Sequence, residues 1–114
     1  MENKWLDVIL KAISERKGEN IIVYETQDVT PFMEYLIVAS TNNIRMNNAI
    51  AQNIKDRLKE AGYEGEMKVE GKADSKWLLV DLKEIVVNLF VAGERQVYGL
   101  DHLYSDCRHY EYDL

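Results

Sequence analysis

Trp5, Val8, Ile9, Ala12 and Ile13 recur at i, i+3, i+4, i+7 and i+8, a spacing that lines one face of a helix. It predicts a helix from about Lys4 to Lys17, with Gly18 as the stop. Ile21-Ile22-Val23-Tyr24 and Tyr35-Leu36-Ile37-Val38-Ala39 are β-branched and aromatic runs that read as strands buried on both faces. Between them Glu25 to Glu34 holds the only proline, Pro31, and reads as a surface loop. After the capping candidates Ser40 to Asn43, a stripe of Met46, Ala49, Ile50, Ile54, Leu58 and Ala61 predicts a long amphipathic helix ending at Gly62. Met67 to Glu70 alternates as a half-exposed strand, and Gly71 to Lys76 is a polar turn. Trp77 to Asp81 and Ile85 to Val91 then pair as a hairpin around Leu82-Lys83-Glu84. Gly93 opens a short helical turn through Tyr98, a second begins near Leu100, and a polar tail from about 105 is expected to be mobile. The order α, β, β, α, β, β, β and short helices predicts an α+β fold, a mixed five-stranded sheet packed with two long helices.

Length and composition narrow the picture further. A chain of 114 residues supports one domain, read as 1–114, and 46% hydrophobic with 30% charged residues is globular composition. Ile85 to Ala92, the longest apolar run, is broken by Asn88 and falls far short of the roughly 20 residues that cross a bilayer. The N-terminal residues lack the apolar core of a secretory signal, and Cys107 is the only cysteine, so a reducing cytoplasmic location is expected. A net charge of −6 disfavours direct RNA binding, which draws affinity from Lys and Arg on phosphates, and suits a basic protein partner.

The second half carries an ordered set of residues: Val69-Glu70-Gly71, Trp77-Leu78-Leu79-Val80-Asp81-Leu82, Val86-Val87 with Phe90, then Arg95, Tyr98, Leu100 and Leu103-Tyr104. At these spacings, with the strand Leu36 to Ser40 running into a polar cap and a long helix, the chain resembles the ribosomal silencing factor (Iojap-like) family over roughly residues 4 to 106. It departs from the family pattern at Asn88, where histidine is usual, at Tyr104, where tryptophan is usual, at Lys83, where glycine is common, and at Glu34, where aspartate is usual. Loss of the histidine removes a titratable group, so no proton-dependent role carries over to position 88.

The resemblance implies a nucleotidyltransferase-like architecture without catalytic carboxylates. It also implies a translational repressor that binds ribosomal protein number fourteen on the large subunit and sterically hinders joining of the small subunit. No cofactor or metal is implied. Trp77, beside Lys76 at a strand end, is the first candidate anchor for such a partner, although a tryptophan there equally fills the core beside Leu79. Leu82, Tyr98 and Tyr104 carry the same two readings, with packing favoured. Glu70, Asp81 and Asp101 would supply negative charge to a basic partner, or are simply solvated carboxylates. Arg95, near Glu94, reads as half of a structural salt bridge.

Other functions draw less from the residues. A catalytically active nucleotidyltransferase is the alternative, but Ala39-Ser40 echoes only its Gly-Ser element, and two-metal phosphoryl transfer needs paired carboxylates that this stretch lacks. His102, Cys107 and His109 match no common zinc spacing, and Cys107 has no partner base in the pattern around it. A surface of exposed aromatics that binds a partner also suits self-pairing, so a homodimer of the free protein is a further expectation.

Overall fold

Asn3 starts the first helix, because its side-chain oxygen accepts from the backbone N–H groups of Trp5 at 2.9 Å and Leu6 at 3.3 Å. The computed structural model describes residues 3–71 and 74–112, and here α1 runs Lys4–Glu15. Its end is a Schellman motif, with the Gly18 N–H donating to the Ile13 carbonyl and the Lys17 N–H to that of Ser14. The stop differs from expectation in one respect: Lys17, not Gly18, takes the left-handed conformation, at φ 70°. Gly18 is needed for room instead, since a Cβ there would lie 2.4 Å from Cγ2 of Ile13.

Two apolar strands follow, β1 at Glu19–Glu25 and β2 at Tyr35–Thr41, paired antiparallel. Asn43 caps the second long helix, α2 at Ile44–Glu60, by accepting from the Met46 N–H at 2.9 Å. The chain returns through β3 at Lys68–Glu70, β4 at Trp77–Asp81 and β5 at Ile85–Val91. Two short helices, α3 at Glu94–Tyr98 and α4 at Leu100–Leu103, precede β6 at His109–Glu111. Sheet order is β3-β4-β5-β2-β1-β6, with β2 and β5 parallel at the centre. Residues 72 and 73 of the expected polar turn, and the last two of the tail, lie outside the described residues.

The sheet therefore has six strands, not five. The sixth comes from the polar tail, where His109, Tyr110 and Glu111 pair with Tyr24, Val23 and Ile22. The Tyr112 N–H donates to the Ile21 carbonyl at 2.8 Å, and the Glu25 N–H to that of Arg108 at 2.8 Å. An unpaired edge on β1 presents donors and acceptors that any extended segment can satisfy, so recruitment here needs no hydrophobic pattern.

Both long helices cover one face of the sheet, where Leu6, Ile9, Leu10 and Ile13 of α1 and Ile50, Ile54 and Leu58 of α2 meet Val23, Ile37, Leu78, Val80, Val87 and Leu89. Of the expected α2 stripe, Ala49 is exposed, while Asn47 and Asn53 are buried. Each asparagine is satisfied. Asn47 accepts from the Thr41 hydroxyl at 2.6 Å and donates to the Leu89 carbonyl, and Asn53 donates to the Ala12 carbonyl at 2.9 Å and to Glu15 at 3.0 Å. Arg57 holds the same Glu15 through two bonds, so α1 and α2 are tied by a polar seam above the core.

Lys83, in the β4–β5 turn, also sits in the left-handed region at φ 72°. A side chain in that conformation costs about 1–2 kcal/mol, partly offset by the greater entropy glycine loses on folding. Lys17→Gly and Lys83→Gly should each raise stability by about 0.5–1 kcal/mol. Urea unfolding would read this as a higher midpoint at unchanged slope.

Candidate docking surface

Strand register assigns the second face of the sheet. Glu70, Leu79, Asn88, Val38 and Ile22 form one row across it, and Lys68, Asp81, Val86, Leu36 and Tyr24 the next. Trp77, Phe90 and Ser40 form a third row at the end where β4 begins and β5 ends. No long helix covers this face. The β1 and β2 side is roofed by Leu100, Tyr104 and Cys107, which pack with Tyr24, Leu36, Val38 and Phe90. On the β3 and β4 side Glu70 is exposed, and Trp77, Leu79, Asp81 and Val86 are each partly exposed.

Three aromatic rings meet at the boundary. Trp77 stacks on Phe90 with centroids 5.3 Å apart and meets Tyr98 at 4.3 Å, while Phe90 and Tyr98 lie 5.6 Å apart. Tyr98 remains 48% exposed, so the cluster has a buried floor in Phe90 and an open rim. Offset and tilted ring pairs of this kind contribute roughly 0.5–1.5 kcal/mol beyond their buried area.

What holds Tyr98 there is a polar clamp on the other flank of α3. Arg95 donates through Nε to Oδ2 of Asp101 at 2.7 Å and through Nη2 to Oδ1 at 3.0 Å, a two-pronged pair. Its Nη1 reaches the Ser40 hydroxyl at 2.8 Å and the Asn20 carbonyl at 2.7 Å. Asn20 lies at the register shift in β1, with φ 50°. The Tyr24 hydroxyl completes the set by donating to Asp101 at 2.5 Å. Burial and the neighbouring carboxylate push the Tyr24 hydroxyl well above the usual phenol range. At Asp101 burial is the largest single influence and opposes ionisation, but the bonds from Arg95 and Tyr24 and the arginine charge together hold the carboxyl below its ordinary value.

The seven residues singled out from the sequence thus divide. Trp77 and Tyr98 touch, and Glu70 and Asp81 share their face of the sheet. Asp81 also shapes the hairpin, accepting from the Lys83 N–H at 2.8 Å. Leu82 is 6% exposed and belongs to the core under the helices, which is the packing reading. Tyr104 is half-buried against Tyr24, ring centroids 6.2 Å apart, and Asp101 is spoken for by Arg95 and Tyr24. Sequence reasoning did not single out Leu79, Val86 or Asn88 for this face, although the period-2 alternation through Trp77, Leu79 and Asp81 carried the signal for Leu79. Among the described residues no three His, Cys, Asp or Glu side chains gather as a metal site, and no helix is long and apolar enough to cross a membrane.

Residues 2–114 match the model of the family described as ribosomal silencing factor during starvation. The chain belongs to the ribosomal silencing factor family. A ribosomal silencing factor RsfS of Bacillus subtilis is 31% identical over 101 residues, spanning 89% of this chain and 85% of that protein. A crystal structure of a Chromobacterium violaceum protein superposes with a TM-score of 0.84 at 29% identity, covering 92% of this chain and 88% of that one. The mouse mitochondrial assembly of ribosomal large subunit protein 1 is 22% identical over 88% of this chain and 45% of its own length. Membership in the silencing factor family brings a translation-related role in ribosome silencing, under a name that describes a silencing factor and not an enzyme.

The clamp predicts a pH dependence. Because the folded-state carboxyl of Asp101 is lowered, its contribution to stability is complete above the ordinary value of 3.8 and fades as pH falls through the lower folded value. Asp101→Asn should reduce the melting temperature at neutral pH by about 4 °C. That gap should close as the pH is taken below 3.8.

Proposed function

We propose that this silencing factor is a translational repressor that docks on the large ribosomal subunit, at ribosomal protein number fourteen, and obstructs joining of the small subunit. The observation that carries the reading is the open half of the second sheet face, where Trp77 and the 48% exposed Tyr98 form an aromatic rim beside Leu79 and Val86, bordered by Glu70 and Asp81. Aromatic side chains at the centre of a patch supply most of the energy of protein interfaces, and carboxylates at its edge favour a basic partner and its rate of approach. Support for the large subunit comes from the name of the mouse relative, which concerns assembly of that subunit in mitochondria.

Mutual exclusion needs no bond to be made or broken. The domain acts from the cytoplasm as a single body, on a nucleotidyltransferase-like scaffold whose second sheet face has been turned to docking. The same aromatic rim lets two free copies pair, which competes with docking at high concentration.

Sedimentation with purified subunits tests this reading. The protein should travel with free large subunits and reduce the yield of joined ribosomes when added before the small subunit. Trp77→Ala should weaken that binding by at least tenfold, and Tyr98→Ala, at a more exposed position, should also weaken it with circular dichroism unchanged. Undiminished subunit joining at saturating protein would overturn the reading.

A further inference from the structure

Asn88 sits in the middle of the second sheet face and is 1% exposed. Its side-chain oxygen accepts from the Trp77 indole N–H at 3.0 Å. Its amide nitrogen is buried with no partner. Turning the amide over does not cure this, because the NH₂ group would then face the indole N–H, donor against donor. An orphaned donor held between the apolar side chains of Leu79 and Val38 is a standing cost to stability. An aliphatic side chain of the same shape would avoid it.

The pairing geometry shows what the asparagine does there. Trp77 is directly opposite Phe90, and Asn88 is its diagonal neighbour two residues back along β5, within reach of a long aromatic side chain. Stacking on Phe90 and contact with Tyr98 restrain the ring from the side, but ring contacts leave its edge free to slide. Among the described residues the bond to Asn88 is the one hydrogen bond of the indole N–H, and it fixes which edge of the ring points into the sheet.

We propose that Asn88 is a positioning residue for docking, retained at the expense of stability because it holds Trp77 in the one orientation that presents its ring, with Tyr98, to the partner. This rests on the docking reading given above. A side chain held in its bound orientation loses less entropy when the partner arrives, so the hold on Trp77 returns as affinity. Position 88 therefore improves binding through the oxygen of its amide and impairs folding through the nitrogen.

The test uses Asn88→Leu, which keeps the branched shape, removes the acceptor and abolishes the orphaned donor. A merely structural asparagine would move stability and binding together, whereas a positioning asparagine moves them apart. The melting temperature should rise by about 4 °C while binding to purified large subunits weakens roughly tenfold. Trp77→Phe, which removes the indole N–H and keeps an aromatic ring, should weaken binding too, and its combination with Asn88→Leu should add little further loss. Trp5 and Trp77 are the only tryptophans, so in a Trp5→Phe background the time-resolved anisotropy of Trp77 reports its mobility alone. Asn88→Leu should increase that mobility, and Asn88→His, whose ring nitrogen can accept the same bond, should restore it. Unchanged Trp77 mobility, or an unchanged affinity while the parent protein binds, would overturn the proposal. If the parent protein does not bind large subunits, the docking reading fails, and with it the claim that the hold on Trp77 serves docking; the anisotropy still decides whether the hold exists.

Discussion

The parallel pairing of β2 with β5 is the constraint on which the rest of the molecule depends. Residues of both strands are buried on both sheet faces, as Ile37, Ala39, Val87 and Leu89 on one and Leu36, Val38 and Phe90 on the other. Parallel strands buried on both faces need cover from both sides. The chain has two long helices, and the crossover between β2 and β5 places α2 on the same face as α1. Cover for the second face has to come from the segment after β5, which is short. It supplies α3 and α4, enough for the β1 and β2 side, and leaves the strip over β4 partly open. That strip is a consequence of the helix count, and it is where the aromatic rim forms.

Short helices do not hold themselves in place. With five and four residues, α3 and α4 fall below the length at which a helix is stable in water, and neither contains a buried residue. Their position comes from Arg95, whose side chain is 12% exposed and joins Asp101 to Ser40 of β2 and Asn20 of β1. A charged pair so placed is weak evidence of net stabilisation, since desolvation consumes much of the attraction. Its value lies in direction. Leu100 and Tyr104 could slide on an apolar sheet, but five directional bonds to Arg95 and Asp101 fix where α3 begins and therefore where Tyr98 lies.

This explains what could be read from the sequence and what could not. Residue pattern located α1, α2 and the strands through β5: the helices and β4 bury a regular stripe, β1, β2 and β5 are apolar runs, and β3, expected to be half-exposed, is exposed at all three positions. The turn Leu82-Lys83-Glu84 placed the β4–β5 hairpin, and Gly93 and the stretch near Leu100 placed the short helices. Pattern missed β6, whose three residues are exposed and pair with β1 mainly through backbone, and it missed Asn47 and Asn53, which are buried because a specific carbonyl or hydroxyl awaits each one. Of the candidate docking residues, the aromatic pair Trp77 and Tyr98 was singled out by residue type, and the two rings touch. Asp101 is engaged within the molecule because its partners, Tyr24 and Arg95, are brought to it by the fold, a long-range fact that no local pattern contains. Arg95 was read as a salt-bridge former from its neighbourhood, and its partner is Asp101, not the adjacent Glu94.

The second sheet face thus carries two polar devices of opposite character. Arg95 and Asp101 are densely bonded, and their effect is to make one arrangement of the short helices better than its alternatives. Asn88 is half satisfied, and a sheet built for stability alone would place a leucine or valine there, as it does at Leu79 and Val38 in the same row. Among the described residues Asn88 alone leaves a buried side-chain polar atom unpaired, and it is in contact with the indole that stands at the rim. Where a buried side-chain donor stands unpaired, the reason is to be sought in the atom bonded to its other half. Here that atom is Nε1 of Trp77, which links the unpaired amide in the sheet to the exposed aromatic rim.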